Sequence, residues 1–241
     1  MDFTSVSHTS SPKAADFVES VLALQPRIAA FDCDGTLWAG DAGEGFFDWE
    51  LKQGLLRDEI VIWARSRYAD YKAGKVDEEM MCGEMVIIHR GLSEDQVQSA
   101  ADQYFDEYIA GQIFPEMHDL VHRLRDSGCD IWAVSSTNEW VIRAGMKHFG
   151  ITQNRILAAS VRVDGGQITD QIVRIPTGEG KARALREVVQ DNLDAAFGNS
   201  RWDIAMLEIA RHAFAVNPNS DLEKLARKRQ WTIYFPKGEI T

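Results

Sequence analysis

The residues best able to do chemistry follow a short apolar run near the start of the chain. Asp32 and Asp34 come directly after residues 28–31, Ile-Ala-Ala-Phe, and Gly35 follows them. An apolar run this short that enters a glycine turn predicts a buried strand ending at that point. Two carboxylates two residues apart can face the same way in extended backbone, and a bound cation would offset the cost of burying them. One carboxylate could then attack a phosphorus atom while the other exchanges a proton with the leaving group.

Two simpler interpretations of this aspartate pair are a calcium-binding loop and a solvated strand end. The EF-hand spacing requires a third ligand at the position of Thr36 and a later glutamate, so the calcium interpretation fails. On this stretch alone the solvated pair stays open as an alternative. Cys33 lies between the aspartates, and we expect a packed thiol rather than a nucleophile because the two carboxylates raise its pKa.

Composition and charge narrow the classes of protein and of partner. The chain has 241 residues, of which 45% are hydrophobic and 26% charged, as is usual for a globular protein with one good core and a smaller second one. Its formal net charge of −11 argues against nucleic acid or an anionic membrane surface as the main partner. An anionic substrate would therefore need a local cation at its binding site.

The cysteines and the N-terminal residues indicate the cellular compartment in which the protein works. The three cysteines are scattered and form no CxxC pair, which fits a reducing compartment. No apolar run is long enough to cross a bilayer, and residues 1–11 are polar, without the basic and apolar regions of a signal peptide. We therefore predict a cytoplasmic protein with no membrane partner, whose residues 1–11 form a loose tail.

The order of apolar and polar segments predicts two structural parts. Residues 41–112 indicate helices near 44–52, 57–72, 77–90 and 94–110, punctuated by glycines. From Pro115 onward short apolar runs alternate with helical patterns, and Asp164-Gly165-Gly166 indicates a hairpin. Repeated β–α alternation predicts a doubly wound, mostly parallel α/β sheet. We therefore assign residues 1–40 and 113–241 to a core domain and residues 41–112 to a small α-helical cap domain.

Further polar groups lie at predicted strand ends or helix starts, where ligands bind in open α/β sheets. Ser135 follows the second buried strand, and Lys181 opens a helix. Asn199 and Asp203 lie in the loop after a later strand. Phosphoryl transfer requires a nucleophile, an acid, a hydroxyl and an ammonium that hold phosphate oxygens, and acidic ligands for Mg²⁺. Each signal is weak alone, and their order along the chain favours this chemistry.

At these positions the chain resembles the haloacid dehalogenase (HAD) superfamily of phosphatases, over about residues 27–235. Asp32-Cys33-Asp34-Gly35-Thr36 matches the very specific first motif, and the inserted helices are similar to the phosphoserine-phosphatase-like branch. The resemblance implies a Rossmann-like core in which Asp32 is the nucleophile that forms an aspartyl-phosphate. It implies that Asp34 is the general acid and base and lends its backbone carbonyl to Mg²⁺. Ser135 and Lys181 match the second and third motifs, which hold the transferring phosphoryl group.

Two positions depart from the pattern of this family. The fourth motif usually begins Gly-Asp and gives Mg²⁺ a carboxylate, whereas this chain has Asn199 there. An amide oxygen can still bind Mg²⁺ with less charge, so we expect Asp203, the later acid of the motif, to contribute directly or through water. The cap arginine that phosphoserine phosphatases use for the substrate carboxylate falls on Gly83, which argues against phosphoserine as the substrate.

Together these features predict a Mg²⁺-dependent phosphomonoester hydrolase that acts on a small phosphorylated metabolite through an aspartyl-phosphate. A phosphomutase or phosphotransferase of the same superfamily would share that intermediate, and a catalytically weakened phosphate-binding protein would keep the fold. Asn199 is the only support for the binding protein, and the intact pair of Asp32 and Asp34 argues against it.

The residues after the first motif suggest a substrate class. Asp41 stands nine residues beyond Asp32, where the phosphoserine-phosphatase pattern places an acid that meets the substrate amine, and Glu44 follows. Aromatic residues surround the two acids, and carboxylates beside aromatic rings suit an ammonium group. We therefore predict a phosphorylated amino alcohol, such as phosphocholine, phosphoethanolamine or histidinol phosphate. The alternative is that the aromatic residues pack the first cap helix and that Asp41 and Glu44 are solvated.

Overall fold

A seven-stranded sheet forms the centre of the computed structural model, which describes residues 12–236. Its strands are β1 (Ile28–Phe31), β2 (Asp130–Asn138), β3 (Ile156–Asp164), β4 (Gln167–Arg174), β5 (Ala195–Gly198), β6 (His212–Val216) and β7 (Thr232–Tyr234). They lie in the order β4-β3-β2-β1-β5-β6-β7, and every neighbouring pair is parallel except β3 and β4, the predicted hairpin. This order confirms the predicted doubly wound, mostly parallel α/β sheet. The predicted tail, residues 1–11, lies outside the described residues.

Ten α-helices in residues 12–236 accompany the sheet. They are α1 (Pro12–Leu22), α2 (Ala42–Gln53), α3 (Asp58–Lys72), α4 (Glu78–Ile87), α5 (Glu94–Tyr104), α6 (Pro115–Asp126), α7 (Glu139–Phe149), α8 (Glu179–Val188), α9 (Ile204–Glu208) and α10 (Ser220–Arg229). None of them is long and apolar enough to cross a membrane. The helix predicted near 94–110 ends as α-helix at Tyr104 and continues as a π-helical turn over Phe105–Ile109. Both ends of that turn are buried, so packing decides its geometry.

The central strand β1 is buried on both faces because its small and aromatic side chains alternate between two cores. Ala29 and Phe31 belong to the larger hydrophobic cluster on one face of the sheet, and Ala30 belongs to the cluster on the other face. Phe31 stacks on Phe197 of β5 with ring centroids 4.1 Å apart. This two-sided burial explains why the strand reads as a continuous apolar run.

The helical segment between β1 and α6 is only partly independent of the sheet. Phe46 of α2 and Phe105 belong to the same continuous hydrophobic cluster as β1. A separate small cluster, formed by Phe47, Leu51, Leu56, Ala64 and Ile88, lies among α2, α3 and the end of α4. The division into a core domain and a cap domain therefore stays a prediction.

The strand order creates a site at the carboxyl end of β1. Strands β2, β3 and β4 extend the sheet on one side of β1, whereas β5, β6 and β7 extend it on the other. Chain segments that leave β1 and its two neighbours therefore diverge at this edge. Such a reversal point is where open α/β sheets bind ligands.

Candidate active site

Three buried charged side chains meet at the carboxyl ends of β1 and β5. Lys181 Nζ, from the first turn of α8, lies 2.6 Å from Asp32 Oδ1 and 2.6 Å from Asp203 Oδ1. All three residues are more than nine-tenths buried. Thr36 Oγ1 donates a hydrogen bond of 2.7 Å to the other oxygen of Asp32. The fold thus brings three of the predicted site residues into direct contact.

Burial and mutual charge set the protonation of this cluster. Burial, together with the charge of Asp203, raises the pKa of Asp32 to about 6. Burial alone would lower the pKa of Lys181, but the charges and hydrogen bonds of Asp203 and Asp32 raise it above its usual value. Lys181 therefore stays protonated and provides the local positive charge that an anionic substrate needs in a chain with a formal net charge of −11.

Asp203 has both of its carboxylate oxygens engaged. Besides Lys181 on Oδ1, its Oδ2 accepts hydrogen bonds from the backbone N–H groups of Asn199 and Ser200, at 3.0 and 2.9 Å, and from Ser200 Oγ at 3.2 Å. Gly198 lies so close that an added Cβ would be 2.5 Å from the Asp203 Cβ. In this arrangement Asp203 positions both Lys181 and the loop after β5.

Asp34 is held by three donors from different parts of the chain. Trp38 Nε1 and the backbone N–H of Ala42 donate to its Oδ1 at 2.8 and 2.6 Å, and Thr137 Oγ1 donates to its Oδ2 at 2.7 Å. Burial and the charge of Asp41 raise the pKa of Asp34 to about 7, although these hydrogen bonds oppose the rise. Both protonation states are thus accessible near neutral pH, as a general acid and base requires.

Ser135 joins this arrangement through Thr137. Ser135 is predicted to follow its strand, but β2 continues through the polar residues to Asn138, so Ser135 is buried inside β2. Its Oγ accepts a 3.1 Å hydrogen bond from the backbone N–H of Thr137. Because the Thr137 side chain donates to Asp34, one short segment links the predicted hydroxyl ligand to the predicted acid. The hydroxyl proton of Ser135 has no hydrogen-bond acceptor among residues 12–236 and is available to an incoming oxygen.

Asn199 lies directly against the turn that carries the two aspartates. Gly35 has a φ of +72°, and an added Cβ there would come within 1.9 Å of Asn199 Nδ2. Only glycine therefore allows this approach as well as this backbone conformation. From the end of β6, Asn217 Nδ2 donates to the Gly35 carbonyl at 3.2 Å, and the backbone N–H of Asn219 donates to the Asn199 carbonyl at 2.8 Å.

The oxygen donors beside Gly35 suit Mg²⁺. The candidate donors are the Asp32 carboxylate, the Asp34 backbone carbonyl and the side-chain amide of Asn199, whose Nδ2 lies against Gly35 and whose amide group is therefore beside the aspartate turn. Magnesium is usually held by one or two carboxylates and completes its shell with water and substrate oxygens. Within residues 12–236 no three His, Cys, Asp or Glu side chains form a denser metal cluster. The residues present therefore fit a sparsely ligated magnesium ion.

Asp41 and Glu44 occupy the first turn of α2, beside the aspartate turn. Asp41 is the N-cap of α2 and accepts a 2.8 Å hydrogen bond from the Glu44 backbone N–H. The next residue, Ala42, donates its N–H to Asp34, so Asp41 is one residue away from a direct contact with the predicted acid. Asp41 is exposed and Glu44 is half-buried, so both acids keep contact with solvent, and desolvation by the neighbouring protein raises the pKa of Asp41.

A cavity opens from this point between α2, α3, α4 and the end of β2. Asp41 and Glu44 line it together with two further carboxylates, Glu50 and Glu78. Thr137, which donates to Asp34, also lines it, so the cavity adjoins the predicted acid. Aromatic and thioether side chains complete the wall, namely Phe47, Tyr68, Tyr71, Met81 and Met85, and no Lys or Arg among the described residues lines it.

Three residues that the sequence did not mark as site residues contact the site: Thr36, Thr137 and Asn217. Thr36 and Thr137 lie within or next to the motifs that carry Asp32 and Ser135, so their place in the sequence could have marked them as site residues. Asn217 follows the predicted strand ending at Val216 and is a polar residue at a strand end, with a φ of +47°. Trp38, one of the aromatic residues expected around Asp41 and Glu44, is instead fully buried and donates to Asp34, a contact that depends on the turn at Gly35. Cys33 is fully buried and its pKa is raised by burial and by both aspartates, as expected of a packed thiol.

Comparison with known proteins gives one family. The family model described as haloacid dehalogenase-like hydrolase matches residues 29–208. A protein from Mycobacterium tuberculosis named as a probable phosphatase is 29% identical over 222 residues, covering 88% of this chain and 76% of its own. A histidinol-phosphatase from Neisseria meningitidis is 26% identical over 219 residues, covering 86% of this chain and 97% of its own.

Solved structures agree on the fold. A probable phosphoserine phosphatase from Vibrio cholerae superimposes with a TM-score of 0.65 at 15% identity, covering 90% of this chain and 62% of that protein. At this level of identity the likeness concerns the fold alone.

Proposed function

Because the chain belongs to the haloacid dehalogenase-like hydrolase family, we propose that this phosphatase hydrolyses small phosphorylated amines through an aspartyl-phosphate on Asp32. The single observation that carries the substrate class is the carboxylate-lined cavity that adjoins Asp34. The buried contacts of Asp32 and Lys181 support the reaction type.

In the first step a carboxylate oxygen of Asp32 attacks phosphorus, and the bond from phosphorus to the leaving oxygen breaks. The ammonium of Lys181 and the hydroxyl of Ser135 bind the phosphoryl oxygens, where they offset the charge that develops in the transition state. Asp203 keeps Lys181 in place through its 2.6 Å ion pair. Lys181 would release part of its contact with Asp32 as the phosphoryl group arrives.

Asp34 is the proton donor and acceptor in this proposal. Protonated Asp34 gives its proton to the leaving oxygen, and the resulting carboxylate then takes a proton from the water that attacks the aspartyl-phosphate. A pKa of about 7 supports both roles at neutral pH. The hydroxyl of Thr137 and the indole N–H of Trp38 orient the carboxylate for the transfer.

Asp32, the Asp34 backbone carbonyl and Asn199 would hold Mg²⁺, which supplies charge neutralisation for the phosphoryl oxygens when bound. The neutral amide of Asn199 gives this site one negative charge less than a carboxylate would. Because both oxygens of Asp203 already accept hydrogen bonds, we place this residue behind the direct ligands, in contact with the ion through water.

The leaving group would lie in the carboxylate-lined cavity, where Asp41 is the acid closest to Asp34 along the chain. An ammonium group on the leaving alcohol offsets the charges there and packs against the aromatic wall. The relative that acts as a histidinol-phosphatase has a substrate with such an amine. At Gly83, the position of the phosphoserine-phosphatase cap arginine, an added Cβ would point toward Ile172 and Ile175, so this position faces apolar side chains.

The substrate class is tested by comparing kcat/KM for O-phosphoethanolamine, histidinol phosphate and the monophosphate of ethylene glycol, whose hydroxyl replaces the amine. We expect the two amines to be preferred and Asp41→Asn to remove most of the preference, whereas Asp95→Asn, an exposed acid of α5, leaves it intact. A preference for the uncharged alcohol phosphate would overturn the proposed class. Counting the inorganic phosphate released against the alcohol formed separates a hydrolase from a mutase or phosphotransferase.

We further propose that residues 41–112 act as a cap domain over the strand ends and that the protein works in the cytoplasm. The cavity between α2, α3, α4 and β2 supports the cap, because the helical segment supplies most of its wall. All three cysteines are unpaired, which supports a reducing compartment.

A further inference from the structure

The four carboxylates of the cavity differ in whether the chain itself neutralises them. Glu44 Oε2 lies 3.1 Å from Lys72 Nζ, and Glu50 Oε2 lies 2.7 Å from His89 Nε2. His89 is protonated in this geometry, because its second ring nitrogen also faces an acceptor, the Val86 carbonyl at 3.1 Å. Two of the four carboxylates are therefore paired with a positively charged side chain of the protein itself.

The other two carboxylates, Asp41 and Glu78, have no cationic partner within 4 Å among residues 12–236. Glu78 accepts a hydrogen bond from the Tyr71 hydroxyl and a weak one from the Cys82 thiol. Burial raises the pKa of the Cys82 thiol, and the charges of both Glu78 and Asp41 raise it further. Glu78, from the start of α4, and Asp41, from the start of α2, both line this cavity.

One ammonium group of the protein itself already binds to the wall of the cavity. The Lys72 ammonium that pairs with Glu44 also lies 5.0 Å from the centroid of the Tyr68 ring. It combines a carboxylate contact with a cation–π contact, the two interactions that the cavity offers. Asp41 and Glu78 line the same cavity as Tyr71, whose hydroxyl donates to Glu78, and neither acid forms an ion pair of its own within residues 12–236, although the charge of Lys72 lowers the pKa of Asp41.

We infer that Glu78 is a specificity-determining residue that binds, together with Asp41, the ammonium group of the leaving alcohol. This inference rests on the proposed function and adds a second carboxylate to the amine subsite. A primary ammonium has three N–H donors and can serve both carboxylates, whereas a quaternary ammonium has none, so the subsite favours primary amines. The Tyr71 hydroxyl positions Glu78 for this contact.

The inference is tested with Glu78→Gln, which removes the charge and keeps the shape, and with Glu79→Gln as its matched control. Glu79 is the next residue of α4 and is exposed outside the cavity. The measured quantity is the ratio of kcat/KM for O-phosphoethanolamine to that for ethylene glycol monophosphate. We expect Glu78→Gln to lower this ratio about tenfold or more and Glu79→Gln to leave it unchanged.

The outcomes separate this inference from the proposed function. If the unmodified protein shows no preference for the amine, both fail. If it prefers the amine and Glu78→Gln keeps the full preference, the role of Glu78 is wrong and the proposed function stands. Equal use of phosphocholine and O-phosphoethanolamine would overturn the preference for a primary amine. Should Glu78→Gln fail to fold, Tyr71→Phe replaces it, and an unchanged ratio in that variant would count against the inference in the same way.

Discussion

Asp32 and Asp34 are separated by one residue but lie in different electrostatic surroundings. Asp32 contacts the ammonium of Lys181, whereas the donors to Asp34 are the neutral groups of Trp38, Ala42 and Thr137. Their pKa values are raised to about 6 and about 7. Different surroundings allow two identical side chains to take different roles, one as nucleophile and one as proton carrier.

Replacing either aspartate by asparagine tests these roles. We expect Asp32→Asn to abolish turnover, because an amide cannot act as the nucleophile, and Asp34→Asn to lower kcat by about 10²–10⁴. The measurement is phosphate release from an aryl phosphate by purified protein whose circular dichroism matches the wild type. Near-wild-type activity of Asp32→Asn would rule out the aspartyl-phosphate.

Thr137 offers a milder test of how Asp34 is oriented. Thr137→Val removes the 2.7 Å hydrogen bond to Asp34 and nearly conserves the volume of the side chain. Because a hydrogen bond to a charged group is lost, we expect kcat to fall about tenfold, with a smaller change in KM. Thr137→Ser should recover most of kcat. If valine and serine variants have the same kcat, the hydroxyl has no part in positioning Asp34.

Asn199 determines the charge of the proposed magnesium site. We expect Asn199→Asp to tighten Mg²⁺, because it adds a negative charge beside Asp32. Titration of activity against Mg²⁺ measures the apparent affinity, and Asn192→Asp, an exposed position before β5, serves as the matched control. An affinity that stays the same or weakens would mean that Asn199 does not face the metal.

At the scale of elements, the first and last helices around the cavity are joined by a buried ion pair. Glu50 of α2 and His89, just after α4, are both almost fully buried and lie 2.7 Å apart. His89 also packs on Phe46 and on Trp140 of α7. Removing one partner would leave a buried charge without compensation, so this pair fixes α2 relative to the end of α4.

We expect His89→Gln to lower the free energy of unfolding by about 3–5 kcal/mol, because Glu50 stays charged and buried. Urea denaturation of the wild type, His89→Gln and the double variant Glu50→Gln/His89→Gln gives the coupling between the two residues. The double variant should be the more stable of the two variants. Additive effects of the two substitutions would show that the residues do not interact.

The same pair predicts a pH dependence of stability. Burial lowers the pKa of His89, but the charge and hydrogen bond of Glu50 outweigh it, and the pKa is raised above the usual 6.5. The stabilisation is therefore complete below about pH 6.5 and is lost as the pH rises through the raised value of the folded state. We expect the stability difference between wild type and His89→Gln to narrow as the pH rises above the usual histidine pKa of 6.5. A difference that widens over this range would contradict the protonated state of His89.

At the scale of the whole molecule, the helical segment and the sheet share one hydrophobic cluster. Phe105 contacts the Trp38 ring edge-on at 5.0 Å and fills the space beside Gly145 of α7, where an added Cβ would come within 2.8 Å of it. Helices α5 and α7 are thereby packed through an aromatic contact that belongs to the main core. Such continuity predicts that the proposed cap and the core unfold together.

We expect a single cooperative thermal transition, with far-ultraviolet circular dichroism and tryptophan fluorescence giving the same midpoint. Phe105→Ala should lower that midpoint for both signals together, at a cost of about 3–5 kcal/mol. Tyr108→Ala, an exposed aromatic of the same π-helical turn, is the matched control. Two separate transitions would show that the helical segment is an independently folding unit.

The sequence by itself determined the sheet, the inserted helices, the place of Asp32 and Asp34 directly after a strand and that of Lys181 at a helix start, whereas Ser135, predicted to follow its strand, lies inside β2. These features are local: a short apolar run, a glycine turn and a helical period each depend on a few neighbouring residues. The order of the motifs along the chain then identified the family, because each motif keeps its place relative to the strands.

Only the tertiary structure decided which groups touch. Lys181 contacts Asp32 at 2.6 Å, and Thr137 donates a hydrogen bond to Asp34. The Asn199 amide packs against Gly35. Each of these contacts joins residues from distant segments of the chain. The ion pairs of Glu44 and Glu50, and the lack of an ion pair within 4 Å for Asp41 and Glu78 among residues 12–236, likewise follow from how α2, α3 and α4 pack. Distances and burial across segments set these pKa values and charges, and no local pattern of residue types encodes them.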